Sequence, residues 1–315
     1  MYKILCPACR SSKVMKNGKR NGAQLYICGY CRRQFRNIKV ISNDKLWKMY
    51  SAKKQTISEI AESIGISEST IKRRLRTVVK EWKQPQLSGG GYAHIDTTYW
   101  GRNWGVLAAI DSASGRPLYL AFVSHERVSD YLEAIGSIEK RGYTINGIIL
   151  DGLRSLFSEL DGRYNLQMCQ FHMKRIIRRY LTLHPKLLAA RELNTLIGNI
   201  VNYKKDDFER QYADWKSKWK ETLNRRSTSS VTGRQRYTHK KLRTAMHSID
   251  FFLPYLFAYQ HYKCIGMPNT NNKIEGTFTD LKKNLNNHSG MTKEGIKRFI
   301  SSFFLALWDS SGAYE

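Results

Sequence analysis

Ile145–Gly152 reads INGIILDG, an apolar run that passes straight into Asp151-Gly152. A run with no polar alternation fits a strand covered on both faces, which calls for layers on either side of a sheet. Working back from it, Tyr92–Trp100, Trp104–Ile110 and Pro117–Val123 read as three strands, with Asp111–Gly115 (DSASG) as the turn between the last two. Successive hairpins make these antiparallel, and Asp130–Arg141 reads as a helix leading into the buried strand. The expectation is a mixed sheet in an α/β domain. Functional groups gather at the carboxyl ends of strands in such sheets, so Asp151 is well placed. An Asp in that position is also a common turn former or helix cap, so it needs partners.

Asp96 lies inside the first strand, in YAHIDTTYW, flanked by Ile95 and Thr97. An unpaired carboxylate in a core strand costs several kcal/mol unless a cation or donor meets it, so a metal or a buried basic partner is expected there. Asp111 also follows an apolar strand, but Ser112 and Gly115 mark it as a turn residue, ranked below Asp96. Beyond Cys169 strand patterns disappear. Ile176, Ile177, Tyr180, Leu181, Leu187 and Leu188, then Trp215 and Trp219, punctuate charged helical patterns, giving an all-helical block over 169–265. Within it Arg225–Arg236 (RRSTSSVTGRQR) reads as a loop, either solvated or ordering on nucleic acid. In PNTNNKIEGTFTDLKKNL, Ile274, Phe278, Leu281 and Leu285 form one helical face, capped by a preceding asparagine. Glu275 flanks that face, within reach of strand ends, although acids in first turns are also common for dipole reasons. Lys282 and Lys283 follow two turns on, where a DNA strand would lie.

Toward the N-terminus, Cys6-Pro7-Ala8-Cys9 and Cys28-Gly29-Tyr30-Cys31 are two C-x2-C knuckles separated by eighteen residues. That spacing reads as a four-thiolate Zn²⁺ site, with a redox pair or disulfides as the competing reading. Asn17-Gly18 is a hairpin-type turn signal and Gln24–Ile27 can pair back as a strand, which together describe a zinc ribbon over residues 1–40. Its basic side chains, Lys13, Lys16, Lys19, Arg20, Arg32, Arg33 and Arg36, suit phosphate contacts; docking to a protein is the alternative. Next, Thr56-Ile57-Ser58-Glu59 fits a capping box, Ile57, Ile60, Ala61 and Ile64 share a face, and Gly65 ends the helix. Ser67 caps a second helix with Ile71, Leu75, Val78, Val79 and Trp82 inward and Ser69, Thr70, Lys72, Arg73 and Arg76 outward. This is the helix-turn-helix pattern, over residues 43–84, whose outward face offers short polar groups and arginines to DNA; an ordinary helical pair is the plainer reading. Lys83–Gly91 (KQPQLSGGG) combines Pro, Ser and three glycines, and a linker is placed at 85–91.

The 315 residues carry 53 Lys+Arg against 26 Asp+Glu, a net charge of +27, and residues 1–91 hold an excess of 15 positive charges. The partner that best fits such a field is a polyphosphate backbone. A hydrophobic fraction of 41 % with 12 % aromatics excludes a disordered polycation. No run is long enough to span a membrane, and MYKILCPACR lacks the apolar stretch of a secretory signal, so a cytoplasmic, nucleoid-associated protein is expected.

Taken together, Asp96, Asp151, Cys169-Gln170-Phe171-His172 and Asn269-Thr270-Asn271-Asn272-Lys273-Ile274-Glu275-Gly276 resemble the transposases of bacterial insertion sequences related to Mutator-like elements. The order, the gaps of 55 and 124 residues between the acids, and the TNN-x-IEG context all match over about residues 92–310, and residues 1–40 look like the zinc-binding variant. The resemblance implies an RNase H-like catalytic domain at 92–168 and 266–315, with the helical block as its insertion. It also implies an Asp96, Asp151, Glu275 triad that binds two Mg²⁺ (or Mn²⁺) ions. The chemistry implied is cleavage at the element's ends, then transfer of the freed 3′-hydroxyl to target DNA. Double-stranded DNA and a homodimer or larger assembly are the implied partners. Cys169 and His172 belong to the signature. They would orient a scissile phosphate, flank the metals or pack the insertion, and a zinc ion there would need two further ligands. The competing readings are a DNA-binding regulator, a nuclease on the same fold, and an inactive relative.

Overall fold

The computed structural model describes residues 4–20, 23–36, 41–51, 55–78, 81–101, 103–228, 232–288 and 290–311. The chain is mixed α/β and divides into two compact units, Met1–Glu81 with Lys283–Phe303, and Trp82–Lys282 with Phe304–Glu315. Sequence reading put the first boundary at the 85–91 linker and kept all of 266–315 with the sheet; residues 283–303 cluster instead with the N-terminal unit.

The first unit begins with a three-stranded antiparallel sheet, β1 (Val14–Arg20), β2 (Ala23–Cys28) and β3 (Gln34–Arg36), in that order. Asn17-Gly18 is not its turn. The pair lies within β1, where the register shifts between Lys16 and Lys19, and Gly18 takes the positive φ of 71° that such an irregularity needs. Arg20 pairs with Ala23, so the chain reverses after Arg20.

Three helices follow, α1 (Asn43–Ser51), α2 (Ile57–Ile64) and α3 (Glu68–Arg76). Thr56 Oγ1 accepts from the Glu59 N–H and the Glu59 carboxylate accepts from the Thr56 N–H, which completes a capping box. Gly65 closes α2 in the left-handed region, and Ser67 Oγ caps α3 by accepting from the Thr70 N–H. Ile60, Ile71, Leu75 and Val78 are buried. Val79 lies outside the described residues. Trp82 is not part of α3's stripe: α3 ends at Arg76, and Trp82 packs edge-on to Phe304 and Trp308 in the second unit. Residues 283–303 join the first unit through α1, where the Trp47 indole donates to Ser302 Oγ at 2.6 Å and Tyr50 lies against His288 and Phe299.

The second unit is built on β4 (Gly90–Tyr99), β5 (Gly105–Asp111), β6 (Pro117–Val123), α4 (Val128–Lys140), β7 (Thr144–Leu150), α5 (Arg154–Leu160), β8 (Leu166–Met168) and α6 (Gln170–Leu181). The five strands make one mixed sheet in the order β6-β5-β4-β7-β8. β4 pairs antiparallel with β5 and parallel with β7, and β7 is parallel to β8. All seven residues of β5 are buried, as a strand covered on both faces must be, and Tyr131, Ala134, Ile135 and Ile138 of α4 join the same core. The stretch read as a linker is packed. Leu87 is buried and its N–H donates to the Arg141 carbonyl, Arg141 reaches the Pro85 carbonyl, and Gly90-Gly91 already pair with Thr144 and Ile145.

The block after α6 contains α7 (Leu188–Gly198), α8 (Lys205–Lys218), α9 (Lys220–Asn224), β9 (Arg226–Thr228), β10 (Gln235–Tyr237) and α10 (Lys240–Phe252). It is therefore not all-helical. The segment read as a loop carries the antiparallel pair β9–β10, and Tyr237 is held between Arg226 and an Arg243 guanidinium 3.7 Å above its ring. Residues 229–231 of that segment lie outside the described residues. α11 (Asn272–Asn286) and α12 (Lys293–Ser311) complete the chain. Among the described residues no helix is long and apolar enough to cross a membrane.

Candidate active site

β4 and β7 bring the first two acids together. Their parallel register pairs His94 with Ile149, so two residues further along both strands Asp96 comes beside Asp151. Asp96 is 8 % exposed and accepts a 2.7 Å bond from the Thr97 N–H. Burial pushes its pKa well up, and the charges of Asp151, Glu275 and Glu126 add to the rise. Asp151 is also raised, by burial, with the charge of His172 working the other way. Gly152, at φ 117°, turns the chain sharply after Asp151; a side chain there would meet Met168 and Ile176 at 3.0 and 3.1 Å.

The third acid arrives on α11, whose Ile274, Phe278, Leu281 and Leu285 are all buried, as the periodicity required. Asn271 precedes that helix, and its side-chain Oδ1 meets Nδ1 of His94, a residue of β4, at 2.8 Å. Burial depresses the His94 pKa, keeping the ring neutral. The CQFH and NTNNKIE segments are then joined residue by residue. The Gln170 N–H donates to the Asn269 carbonyl, the Asn269 amide donates to Gln170 Oε1, and the Asn271 N–H donates to Cys169 Sγ at 3.2 Å. His172 Nδ1 lies 3.4 Å from Glu275 Oε1. Two motifs about a hundred residues apart in sequence are thus one structural unit, and it fixes where Glu275 sits.

A fourth carboxylate escaped the sequence reading. Glu126, between β6 and α4, lines one cleft with Asp151 and His172, and its pKa is raised by burial and by Asp151. The Tyr131 hydroxyl donates to it at 2.6 Å and also meets Thr97 Oγ1 at 3.0 Å, next to Asp96. No spacing signal marks Glu126. The cleft, about 720 Å³, is lined beyond its acids by Arg175, Arg178 and Arg179 of α6. The cleft thus brings carboxylates and guanidinium groups together.

In the ribbon, Cys6, Cys9, Cys28 and Cys31 place their sulfurs within 4.8 Å of one another, a cluster that could hold a structural metal such as zinc. The N–H groups of Cys31 and Tyr30 point at Cys28 Sγ and help hold its pKa down to about 6, which favours thiolate.

The residues read as DNA-facing divide. Ser69, Lys72, Arg73 and Arg76 are exposed on α3, whereas Thr70 is half-buried, its hydroxyl 3.0 Å from Ser67 Oγ in the cap. Lys72 pairs with Glu68 at 3.4 Å. Arg74, not singled out by the pattern, is structural, bonding Asn43 and the Ile41 carbonyl. Lys282 and Lys283 are both exposed, with Lys282 Nζ 5.9 Å from the Trp100 ring. Compared with known proteins, the chain matches no family model and no curated protein.

Proposed function

We propose that the chain is a DDE transposase with an RNase H-like catalytic domain, of the insertion-sequence group related to Mutator-like elements. The observation that carries this reading is that Asp96, Asp151 and Glu275, from β4, the end of β7 and α11, come close enough for the charges of Asp151 and Glu275 to raise the pKa of Asp96, with Asp151 lining an arginine-flanked cleft. The sheet order β6-β5-β4-β7-β8, with an antiparallel β4-β5-β6 group and parallel β7 and β8, supports it.

Buried carboxylates that raise one another's pKa fit divalent cations with a preference for oxygen ligands, and the described residues give Asp96 no basic partner. Mg²⁺ or Mn²⁺ ions held there, two in the group this chain resembles, would activate the attacking oxygen and stabilise the leaving oxygen of a phosphodiester displacement. The chain's own groups do the rest. Arg175, Arg178 and Arg179 draw the DNA backbone over the acids, and the Tyr131 hydroxyl orients Glu126. The docked CQFH and NTNNKIE segments hold Glu275 in reach of Asp96. A zinc-held ribbon and α3, acting as the recognition helix of a helix-turn-helix, read double-stranded element ends through Ser69, Lys72, Arg73 and Arg76. Lys282 and Lys283 add backbone contacts. Synapsis of two ends calls for at least a dimer.

The test is metal-dependent cleavage and joining of a labelled duplex carrying the native element end, wild type against Asp151→Ala. The expected result is a 3′-end cut and a joined product with Mg²⁺, both reduced roughly a thousandfold or more in the variant, about 4 kcal/mol of barrier. Cleavage without joining would convert the reading to a nuclease, and tight binding of unchanged DNA to a regulator.

A further inference from the structure

Cys169, His172 and Glu275 have a second relation that the acid triad does not use. One ligand atom from each, a sulfur, a ring nitrogen and a carboxylate oxygen, all lie within 4.8 Å of one another. Cys169 is fully buried at the N-terminal end of α6, His172 follows one turn later on the same helix, and Glu275 comes from the first turn of α11. His172 Nδ1 and Glu275 Oε1 are shielded from solvent, and neither has a hydrogen-bond partner, although they face each other at 3.4 Å. Shielded polar atoms left unsatisfied are destabilising, because each keeps its desolvation cost with no bond to offset it. A shared cation would satisfy both.

We propose that Cys169, His172 and Glu275 form a transition-metal site, with Zn²⁺ as its natural occupant, separate from both the ribbon cysteines and the Asp96–Asp151 pair. The ligand chemistry selects the ion. Thiolate and imidazole are poor ligands for Mg²⁺ or Ca²⁺, whereas sulfur, nitrogen and oxygen donors together suit zinc. Three protein ligands leave a fourth position open to water or to a phosphate oxygen, the pattern of zinc sites that do chemistry or bind substrate. The ligands are also braced. The Asn271 N–H donates to Cys169 Sγ, as backbone amides do to metal-bound thiolates, and Asn271 is itself pinned by His94. Glu275 also raises the pKa of Asp96, so one carboxylate serves both places, and a zinc ion would fix its direction relative to the acid pair.

The experiment is metal analysis of the purified full chain, with a readout indifferent to whether DNA is cut. Zinc content by mass spectrometry should be about two ions per chain for wild type and about one for Cys169→Ser and for His172→Gln, the ribbon keeping its own ion. His172→Gln leaves the buried sulfur in place, so it reports even if Cys169→Ser fails to fold; circular dichroism checks both. Cobalt loading adds an optical check, because the wild-type spectrum should lose one thiolate-containing component in each variant while the four-sulfur component persists. About one zinc per wild-type chain, or variants that keep about two, would overturn the site. Neither result touches the strand-transfer reading, which stands or falls on Asp151→Ala.

Discussion

The ribbon, whose four cysteines could hold a structural metal, and the cluster of carboxylates around Asp96 are built in opposite ways. In the ribbon, Cys6 and Cys28 are the only buried side chains among the described residues 4–36, and beyond the stacked Tyr26–Phe35 pair and other half-buried residues little apolar core holds the strands. The sulfurs come from two knuckles close in sequence, and a metal there would supply the missing core. Around Asp96 the acids and their neighbours come from β4, the end of β7, α6 and α11, and these elements sit on a large continuous core that includes Ile95, Ile148, Leu150 and Met173. In the first case an ion would organise the fold, and in the second the fold gathers acids that raise one another's pKa.

The largest effect should therefore come from removing the ribbon's metal. Chelation, or Cys28→Ser, should abolish protection of the β1–β2 amides in hydrogen exchange, since structural zinc contributes apparent binding energies of about 10 kcal/mol or more. Amides of β4, β5 and β7 should be unchanged under the same treatment. Persistent protection of β1–β2 without metal would erase the contrast between the two regions.

The same contrast explains what could be read in advance. The four cysteines declare themselves because their spacing is local, and the capping box at Thr56 and Glu59 and the stripe Ile274, Phe278, Leu281, Leu285 are legible for the same reason. Asp96 and Asp151 could be suspected, because a carboxylate in or after an apolar strand is conspicuous. What stayed hidden was set by distant parts of the chain. Glu126 carries no pattern and gains meaning only because Tyr131 turns it toward Asp151's cleft. Asn17-Gly18 carries a strong turn signal, yet the pairing of Arg20 with Ala23 places the reversal further on. The polar, basic run after Arg225 gave no strand alternation, and the β9–β10 pair has only exposed and half-buried side chains to show for itself.

Two aspartates in the same sheet sharpen the comparison with opposite signs. Asp111 is buried, yet its carboxylate accepts from the Ser114 N–H and hydroxyl and from the Tyr143 hydroxyl, and these bonds outweigh desolvation and lower its pKa. Its contribution is present above the ordinary carboxylate pKa, about 3.9, and is lost as pH falls through the lower folded value. Asp111→Asn should cost about 2 kcal/mol at neutral pH and flatten that acid dependence. Asp96 is raised instead, so in metal-free protein its stability contribution falls as pH climbs from about 3.9 toward the folded value. Asp96→Asn should then stabilise the metal-free chain by about 1–2 kcal/mol, a melting shift of roughly 2–8 °C. It should also remove stabilisation by Mg²⁺ and abolish cleavage, with DNA affinity equal or higher. A destabilised Asp96→Asn protein would mean that the acid's bond from the Thr97 N–H, or a cationic partner, outweighs the cost of its burial, and the site would lose its claim on metal ions.

The smallest predicted effect tests whether the metal's reach stops at the ribbon. α2 is held by its own ends: Thr56 and Glu59 exchange hydrogen bonds at one terminus, and Gly65 donates to the Ala61 carbonyl at the other. None of these groups is a metal ligand. Thr56→Ala should lower the local stability of α2 by about 1 kcal/mol, read as faster amide exchange in residues 57–64. Because independent sites add, that increment should be the same with the zinc present or chelated. If the cost of Thr56→Ala vanishes when zinc is removed, α2 has already unfolded with the ribbon, and the ion would organise the helices as well as the strands.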